Sequence, residues 1–381
     1  MPVKANPYPH AAKKIPPMPR SQRLSVGLIC LLAIGLTGYR TPCAKAVTTG
    51  LLLCSNMLLP ALFPFFVLSG LTVELGIAQR AGTIFSGCMR RIFHLPGSSA
   101  SLFLLGALGG YPTGARAVAQ LYQKQQCCKD DAQCMLALCN NCGPGFFLGI
   151  VGGVLFRSTW IGLTLWLFHL FAALVAARLF RGKASTFATF SNPPPTCTLH
   201  QALIKAISGA VQSTLGICGF VLFFSVLLCL LRETGLLTLC AMVLGLLFPD
   251  AAFCEAICSG LFEISCGVTA LETCHAVPEL KGAAAVFLLS FGGCSVFFQT
   301  MQQTEGTDLM IFPVVKQKLL QAALAAGCSY LFLSMFFSST PVFAASVSSS
   351  PLVHSGISSV AYLLFCAVSL VNHRKSRYNK Q

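Results

Sequence analysis

The segment Gly109–Arg116, which reads GGYPTGAR, combines residue types that suit the binding of a small ligand. Glycine permits close approach of the backbone to a ligand, and Pro112 removes a backbone donor and interrupts a helix. A helix that restarts near Thr113 presents free N–H groups at the positive end of its dipole, which favours an anion. A helix kink packed through small residues is the structural alternative. The residues predicted to bind substrate here are Gly110, Tyr111, Thr113 and Gly114.

Two adjacent amides, Asn140 and Asn141, interrupt a second apolar stretch. Buried amides are destabilising unless they find hydrogen-bond partners, so we predict that both line the same pocket, with interhelical hydrogen bonding as the alternative. Cys139 and Cys142 flank them at a spacing seen in metal and redox sites. Neither a histidine nor a second cysteine pair follows at ligand spacing, so the sequence predicts no metal and no other cofactor.

The composition places these polar residues in a membrane. The chain of 381 residues has 55% hydrophobic and 10% charged residues, with a mean hydropathy of +0.73. Soluble domains carry about 25% charged residues, and disordered chains are far less hydrophobic, so both classes are excluded. The formal charge of +15 resides in residues that flank long uncharged runs. A nucleic-acid binder clusters its basic residues on one face, so no nucleic-acid partner is predicted.

Uncharged runs near the length of a membrane-crossing helix, about 20 residues, predict about eight crossings. They are residues 24–39, 46–73, 132–156, 158–177, 206–231 and 282–304, a run beginning at Leu319, and Ser355–Val371. Two further apolar regions, Ile92–Ala115 and Asp250–Thr273, contain glycine, proline or glutamate and are predicted to be re-entrant hairpins. The first run could instead be a cleaved signal peptide, but a second span follows it immediately, which favours a retained helix.

The basic residues then predict the orientation. In this topology 21 of the 26 Lys and Arg residues lie on one side, which predicts that both termini are cytoplasmic. Arg116 is expected to anchor its hairpin at that surface. The predicted divisions are a basic cytoplasmic tail (1–23), a first membrane half (24–180), a cytoplasmic linker (181–203), a second membrane half (204–371) and a cytoplasmic tail (372–381).

The two halves resemble each other at an offset near 153 residues. Gly109–Val118 aligns with Phe262–Leu271, which matches Gly114 with Gly267, and the flanking spans follow in the same order. The spans run in opposite directions, and inverted repeats of this kind are typical of transporters. The sequence therefore predicts an all-α, inverted-repeat bundle with two re-entrant hairpins.

The repeat also identifies candidate residues in the second half. Ser290, Ser295 and Gln299 occupy the span that corresponds to the one with the two asparagines, and we predict that they bind substrate. Glu263 lies between two apolar residues in the second hairpin. An ionisable residue at membrane depth is a functional hypothesis by default, so we predict that Glu263 couples transport to a proton or cation. A pore-facing or interfacial glutamate without a coupling role is the alternative.

These motifs resemble a known family. Gly110–Ala115, Leu59–Phe66 and the Asn-Asn-Cys-Gly-Pro segment are similar to the YlbJ-type sporulation integral membrane proteins, within the nucleoside-recognition (gate) superfamily. The resemblance implies an inverted-repeat bundle in the bacterial cell membrane. It further implies a role in moving dipicolinic acid across the mother-cell or outer forespore membrane.

Three functions therefore remain open. The first is a secondary transporter of a small polar or anionic metabolite, driven by an ion gradient or by the substrate's own gradient, because no nucleotide-hydrolysing motif is present. The second is a non-transporting membrane scaffold in spore maturation, and the third is a nucleoside or metal-ion permease, the latter using Cys139 and Cys142. No nucleophile–base pair or acidic pair indicates an enzyme. The sequence leaves an oligomer open.

Overall fold

The computed structural model describes residues 20–180 and 197–339, and the regular secondary structure in these ranges is entirely helical. In the first half the helices are α1 (Arg20–Gly38), α2 (Arg40–Leu53), a π-helical turn (Cys54–Leu58), α3 (Leu59–Glu74), α4 (Ile77–Phe93), α5 (Ser98–Gly109), α6 (Thr113–Gln123), α7 (Lys129–Cys139), a π-helix (Gly145–Leu155) and α8 (Thr159–Phe180). In the second half they are α9 (Leu199–Glu233), α10 (Leu236–Gly245), α11 (Ala251–Phe262), α12 (Ile264–Ala270), a 3-10 turn (Leu271–Thr273), α13 (Pro278–Phe291), α14 (Gly293–Gln303) and α15 (Ile311–Ser339).

Five helical segments in these ranges are long and apolar enough to cross a membrane, which confirms a polytopic helical membrane protein. They are Arg40–Thr72, Thr159–Phe180, Leu199–Glu233, Pro278–Gln303 and Ile311–Phe337. A sixth is obtained if Thr83–Phe93 and Ser98–Gly109, bent by 108°, form one span.

The remaining predicted crossings are accounted for as follows. The apolar part of α1 is short, Ser25–Gly38. The predicted span at residues 132–156 is divided between α7 and the π-helix. Ser355–Val371, the tail at 372–381 and most of the predicted linker lie outside the described residues, as does the tail at 1–23 apart from residues 20–23, which begin α1.

The first predicted hairpin is a helix–break–helix unit. Helices α5 and α6 are separated by the break at residues 110–112, where Gly110 adopts φ +70°. Gly106 and Gly114 lie where these helices meet the end of α7, since a Cβ at either position would overlap the carbonyl oxygen of Cys139. The absence of side chains at these two glycines therefore lets α7 end against the hairpin.

The second hairpin repeats this construction with different residues. Helix α11 is capped by Asp250, whose carboxylate accepts the N–H groups of Ala252 (3.0 Å) and Phe253 (3.2 Å). It ends at Glu263, and α12 returns so closely that a Cβ at Gly267 would overlap Gly260. The predicted match thus joins two positions of close backbone packing, although Gly114 packs on the end of α7 and Gly267 packs on α11 of its own hairpin.

Each half also contains a second broken helix. In the first half, residues 140–144 separate α7 from the π-helix, and in the second half Gly292, at φ +96°, separates α13 from α14. A Cβ at Gly293 would lie 2.8 Å from the carbonyl oxygen of Gly260, so this break also rests on its hairpin. One apolar cluster, which includes Leu62, Phe147 and Leu288, joins both halves.

We expect Gly114→Ala to destabilise the protein by about 1–3 kcal/mol, because the added methyl group must displace the Cys139 carbonyl. Thermal unfolding in detergent micelles measures this as a lowered Tm. Gly216→Ala in α9 is the matched control, since a Cβ there meets nothing within 4 Å. Equal Tm values for the two variants would contradict this account of the hairpin.

Candidate functional site

The four helix breaks meet at one cavity. The two hairpin tips contribute Gly110, Tyr111 and the stretch from Glu263 to Ser265, and the two broken helices contribute Gly143–Gly145 with Ser295 and Gln299. Apolar walls complete it, formed by Leu62, Phe65, Phe66, Leu108, Phe146, Ile217 and Val296. The space open to a water-sized sphere is about 20 Å³, which accommodates about one water molecule. The cavity is therefore almost closed in this conformation.

Helix starts give the cavity its electrostatic character. Helix α6 begins just after Tyr111, the π-helix begins at Gly145, and α14 begins two residues before Ser295. The first N–H groups of a helix have no partner within it and carry the positive end of its dipole. Gly145 itself lines the cavity, and the first residues of α6 and α14, Thr113 and Gly293, lie beside residues that line it. This arrangement favours an anionic ligand.

Glu263 lies at the fourth helix start, where its side chain has a structural role. The carboxylate accepts the backbone N–H of Cys266 at 2.7 Å and so caps α12. Its residue is only 3% exposed, although it lines the cavity. The cap explains why a carboxylate is tolerated here, and its place at the cavity leaves it available to a ligand or a cation.

Three buried polar atoms at or near the cavity lack hydrogen-bond partners among the described residues. They are Ser265 Oγ, Ser295 Oγ and Asn140 Oδ1. The amide nitrogen of Asn140 donates to Thr300 Oγ at 2.8 Å, so this side chain is held on the helix that carries Ser295 and Gln299. A buried hydroxyl without a partner is unfavourable, and Ser265 and Ser295 both line the cavity, which makes these two serines the clearest ligand-contacting candidates.

The structure brings together five of the ten predicted site residues. Gly110, Tyr111, Glu263, Ser295 and Gln299 line the cavity, and their contact with a ligand stays a prediction. The other five lie elsewhere. The hydroxyl of Thr113 donates to the carbonyl of Gly109 (3.3 Å), and Gly114 packs on Cys139. The side chain of Asn140 bonds to Thr300. Asn141 and Ser290 belong to a separate polar cluster.

This separate cluster, here called the Lys318 cluster, consists of Asn141, His169, Ser290, Lys318 and Gln321. Lys318 is 1% exposed and donates to Asn141 Oδ1 (3.1 Å) and Gln321 Oε1 (2.9 Å). Gln321 in turn donates to Asn141 Oδ1 at 3.1 Å, and His169 Nδ1 lies 2.7 Å from Ser290 Oγ. The cluster adjoins the cavity because the Lys318 ammonium lies 5.6 Å from the ring centroid of Tyr111.

The sequence analysis missed three members of this cluster. Charge counting assigned Lys318 to a cytoplasmic segment, whereas the structure buries it inside the bundle. The spacing of Lys318 and Gln321 places both on one helix face, and His169 lies alone within an apolar span. These patterns are also common in ordinary packed helices, so their meaning depends on the fold.

Comparison with known proteins shows which family model and which relative the chain is similar to. Residues 56–181 match the family model described as "Gate: Nucleoside recognition". Over 307 residues the chain is 27% identical to the sporulation integral membrane protein YlbJ of Bacillus subtilis (strain 168). The aligned residues cover 74% of this chain and 75% of that protein. The predicted resemblance is confirmed. No solved structure matches the chain.

The segment that matches the Gate model, residues 56–181 and here called the Gate region, contains the first hairpin, the α7 break and His169. Glu263, Ser295, Gln299 and Lys318 come from the chain beyond it. Both parts are thus needed to build the cavity and the Lys318 cluster.

The two cysteines next to the asparagines do not form a metal centre in the described ranges. Cys139 and Cys142 are fully buried. Residues 20–180 and 197–339 contain no group of three or more His, Cys, Asp or Glu side chains that could hold a metal ion. Nothing in these ranges therefore supports the metal-permease alternative.

Polar side chains of the Gate region contact the end of α14 and the loop that follows it. Arg116 Nε donates to Gln303 Oε1 (2.9 Å), which ties the first hairpin to the end of α14; the place of Arg116 at the cytoplasmic surface stays a prediction. Asp308 accepts from Lys129 (2.8 Å) and from the hydroxyl of Tyr122 (2.7 Å). These contacts join the two halves at one end of the molecule.

The hydrogen bond from Lys129, followed by that from Tyr122, holds the pKa of Asp308 below its ordinary value of 3.8. A lowered pKa stabilises the folded state above the unfolded value, and the contribution is lost as the pH falls through the folded value. We expect Asp308→Asn to lower Tm modestly between pH 6 and 8 and to have little effect near pH 3.

Thermal unfolding across this pH range tests the expectation. The control is Glu305→Gln, an exposed carboxylate in the same loop. An Asp308→Asn effect that is as large at pH 3 as at pH 7 would show that the charge of Asp308 does not contribute.

Proposed function

We propose that this protein is a secondary transporter that holds a small polar or anionic metabolite in the cavity between its two hairpins. The observation that supports this proposal most directly is that two hairpin tips and two broken helices converge on one cavity. Each half of the chain contributes one hairpin tip and one broken helix. Transporters built from repeats bind substrate where interrupted helices meet. The match to a Gate region and the likeness to a sporulation integral membrane protein support the same function.

Dipicolinate is our proposed substrate. Its carboxylates suit the N–H groups at the helix starts and the hydroxyl of Ser295, and its planar ring suits the aromatic walls formed by Phe65, Phe66 and Tyr111. Because the likeness is to a sporulation protein, we place the chain in the mother-cell or outer forespore membrane, with both termini in the cytoplasm.

Transport requires the cavity to open. A space of about 20 Å³ is far smaller than dipicolinate, so binding must separate a hairpin tip from the opposing broken helix. Hinge and shear movements of packed helices open such sites around ligands.

A nucleoside is the second candidate substrate, because the Gate family is described by nucleoside recognition. The hydroxyl of Ser295 and the amide of Gln299 could bond to a ribose or a base as readily as to a carboxylate. A non-transporting scaffold is distinguished from both by the absence of flux.

We expect the purified full-length chain in proteoliposomes to carry dipicolinate, and Ser295→Ala to raise its KM roughly fivefold through loss of one hydrogen bond of about 1 kcal/mol. Flux of radiolabelled dipicolinate and uridine measures both points. Ser329→Ala is the control, because that buried hydroxyl bonds within its own helix to Ala325. Uridine flux without dipicolinate flux would favour the nucleoside permease, and no flux of either would favour the scaffold.

We expect Glu263→Gln to fold, because the amide oxygen can still cap α12, and to reduce the pH or cation dependence of transport. Initial rates from pH 5.5 to 8.5, with and without a sodium gradient, measure this dependence. Glu272→Gln, an exposed carboxylate just beyond α12, is the control. Normal transport by Glu263→Gln with unchanged pH and cation dependence would end the coupling hypothesis.

A further inference from the structure

We propose that Lys318 is a proton-binding residue of the transporter, which becomes charged when an anion occupies the neighbouring cavity. The inference rests on the proposed function, since it needs an anionic substrate. It assigns the compensating positive charge to a residue that lies outside both the cavity and the Gate region.

The first argument is the burial of this amine without a counter-ion. Lys318 is 1% exposed, among the largest fully buried side chains. Within residues 20–180 and 197–339 the oxygen partners of the Lys318 amine are the side-chain amides of Asn141 and Gln321, and no carboxylate pairs with it there. A buried charge without a partner is strongly unfavourable, which favours the neutral amine until an anion arrives.

The second argument is the number of hydrogen-bond acceptors. A neutral amine has two N–H groups, and Lys318 has two oxygen acceptors, Asn141 Oδ1 at 3.1 Å and Gln321 Oε1 at 2.9 Å. An ammonium has a third N–H. The ring of Tyr111, with its centroid 5.6 Å away, can face that charge, since cations bind aromatic faces within about 6 Å. The cluster can therefore hold either protonation state.

The third argument is that the other titratable groups around Lys318 do not supply a charge. Those facing it are the thiols of Cys139 and Cys142, the phenol of Tyr111 and the imidazole of His169. The backbone N–H of Cys142 donates to His169 Nε2 at 3.3 Å, which leaves a neutral ring with its proton on Nδ1, toward Ser290. None of these groups needs to be ionised to satisfy its contacts.

The connection to the cavity runs through two residues. Tyr111 lines the cavity and also faces the Lys318 amine, and its hydroxyl donates to the carbonyl of Leu289 at 3.0 Å. Asn141, which accepts from Lys318, is two residues before Gly143 in the cavity wall. An anion between the hairpins would therefore lie beside Tyr111, whose ring faces the amine. Its charge favours uptake of one proton by the amine from the buffered solution, which gives an ammonium.

Calorimetric titration of dipicolinate into the full-length protein in micelles tests this at pH 7.5 in two buffers of different ionisation enthalpy. We expect the wild-type protein to take up protons on binding. Lys318→Met should take up fewer, by up to one proton for each ligand, and should bind dipicolinate at least tenfold more weakly. Lys318→Gln should give the same results as Lys318→Met. Because its amide keeps a hydrogen-bond donor and an acceptor, this variant provides the test if Lys318→Met does not fold.

Lys316→Met is the matched control, because Lys316 is exposed and lies 4.6 Å from the ring centroid of Phe312. Unchanged proton uptake in the Lys318 variants would overturn the proposal, even if binding weakened, since Lys318 would then be a permanently charged anchor. Failure of the wild-type protein to bind dipicolinate would instead overturn the proposed substrate and with it the counter-charge role. A Lys318 effect equal to that of Lys316→Met would also contradict the proposal.

Discussion

The structure depends on how interrupted helices are accommodated inside a membrane. Backbone N–H and C=O groups cannot be left facing lipid, so a broken helix survives only where protein or a polar cavity surrounds it. This chain meets that requirement because each broken helix packs closely against a hairpin. The end of α7 packs against Gly106 and Gly114 of the first hairpin, and the break before α14 packs against Gly260 of the second. The cavity lies where these joints meet.

The same constraint explains the arrangement of polar side chains. In an apolar bundle each buried polar group needs a partner, and most of those near the breaks have one. Glu263 caps a helix, Asn140 bonds to Thr300, and Asn141 is shared by Lys318 and Gln321. Ser265 and Ser295, whose hydroxyls lack a partner among the described residues and line the cavity, depart from this rule. That departure is the chemical reason to place a ligand there.

Features that are local in the chain could be predicted from the sequence. Both hairpins were found because glycine, proline and glutamate interrupt apolar runs, and the match of Gly114 with Gly267 follows from the repeat. Half of the predicted site residues reach the cavity, including Gly110, Glu263 and Ser295. The number of crossings could not be predicted from the lengths of apolar runs alone. Residues 132–156, for example, have the length of one span, but the break between α7 and the π-helix divides them into two shorter helices.

The Lys318 cluster shows what the sequence could not reveal. A lysine beside an apolar run is ordinarily a flanking residue, and its partner Asn141 is 177 positions away in the chain. Only the packing of α15 against the α7 break determines that the amine is buried. For the same reason the two adjacent asparagines, indistinguishable by pattern, have different roles: Asn140 stands beside the cavity helix and Asn141 belongs to the cluster.

An electron cryomicroscopy structure of the full-length protein with dipicolinate would test most directly the claim that the joined breaks form a substrate site. The account predicts ligand density between Gly110 and Glu263, in contact with Ser295, in a cavity wider than the present one. Density for dipicolinate at another place on the protein, with this cavity still closed, would contradict it.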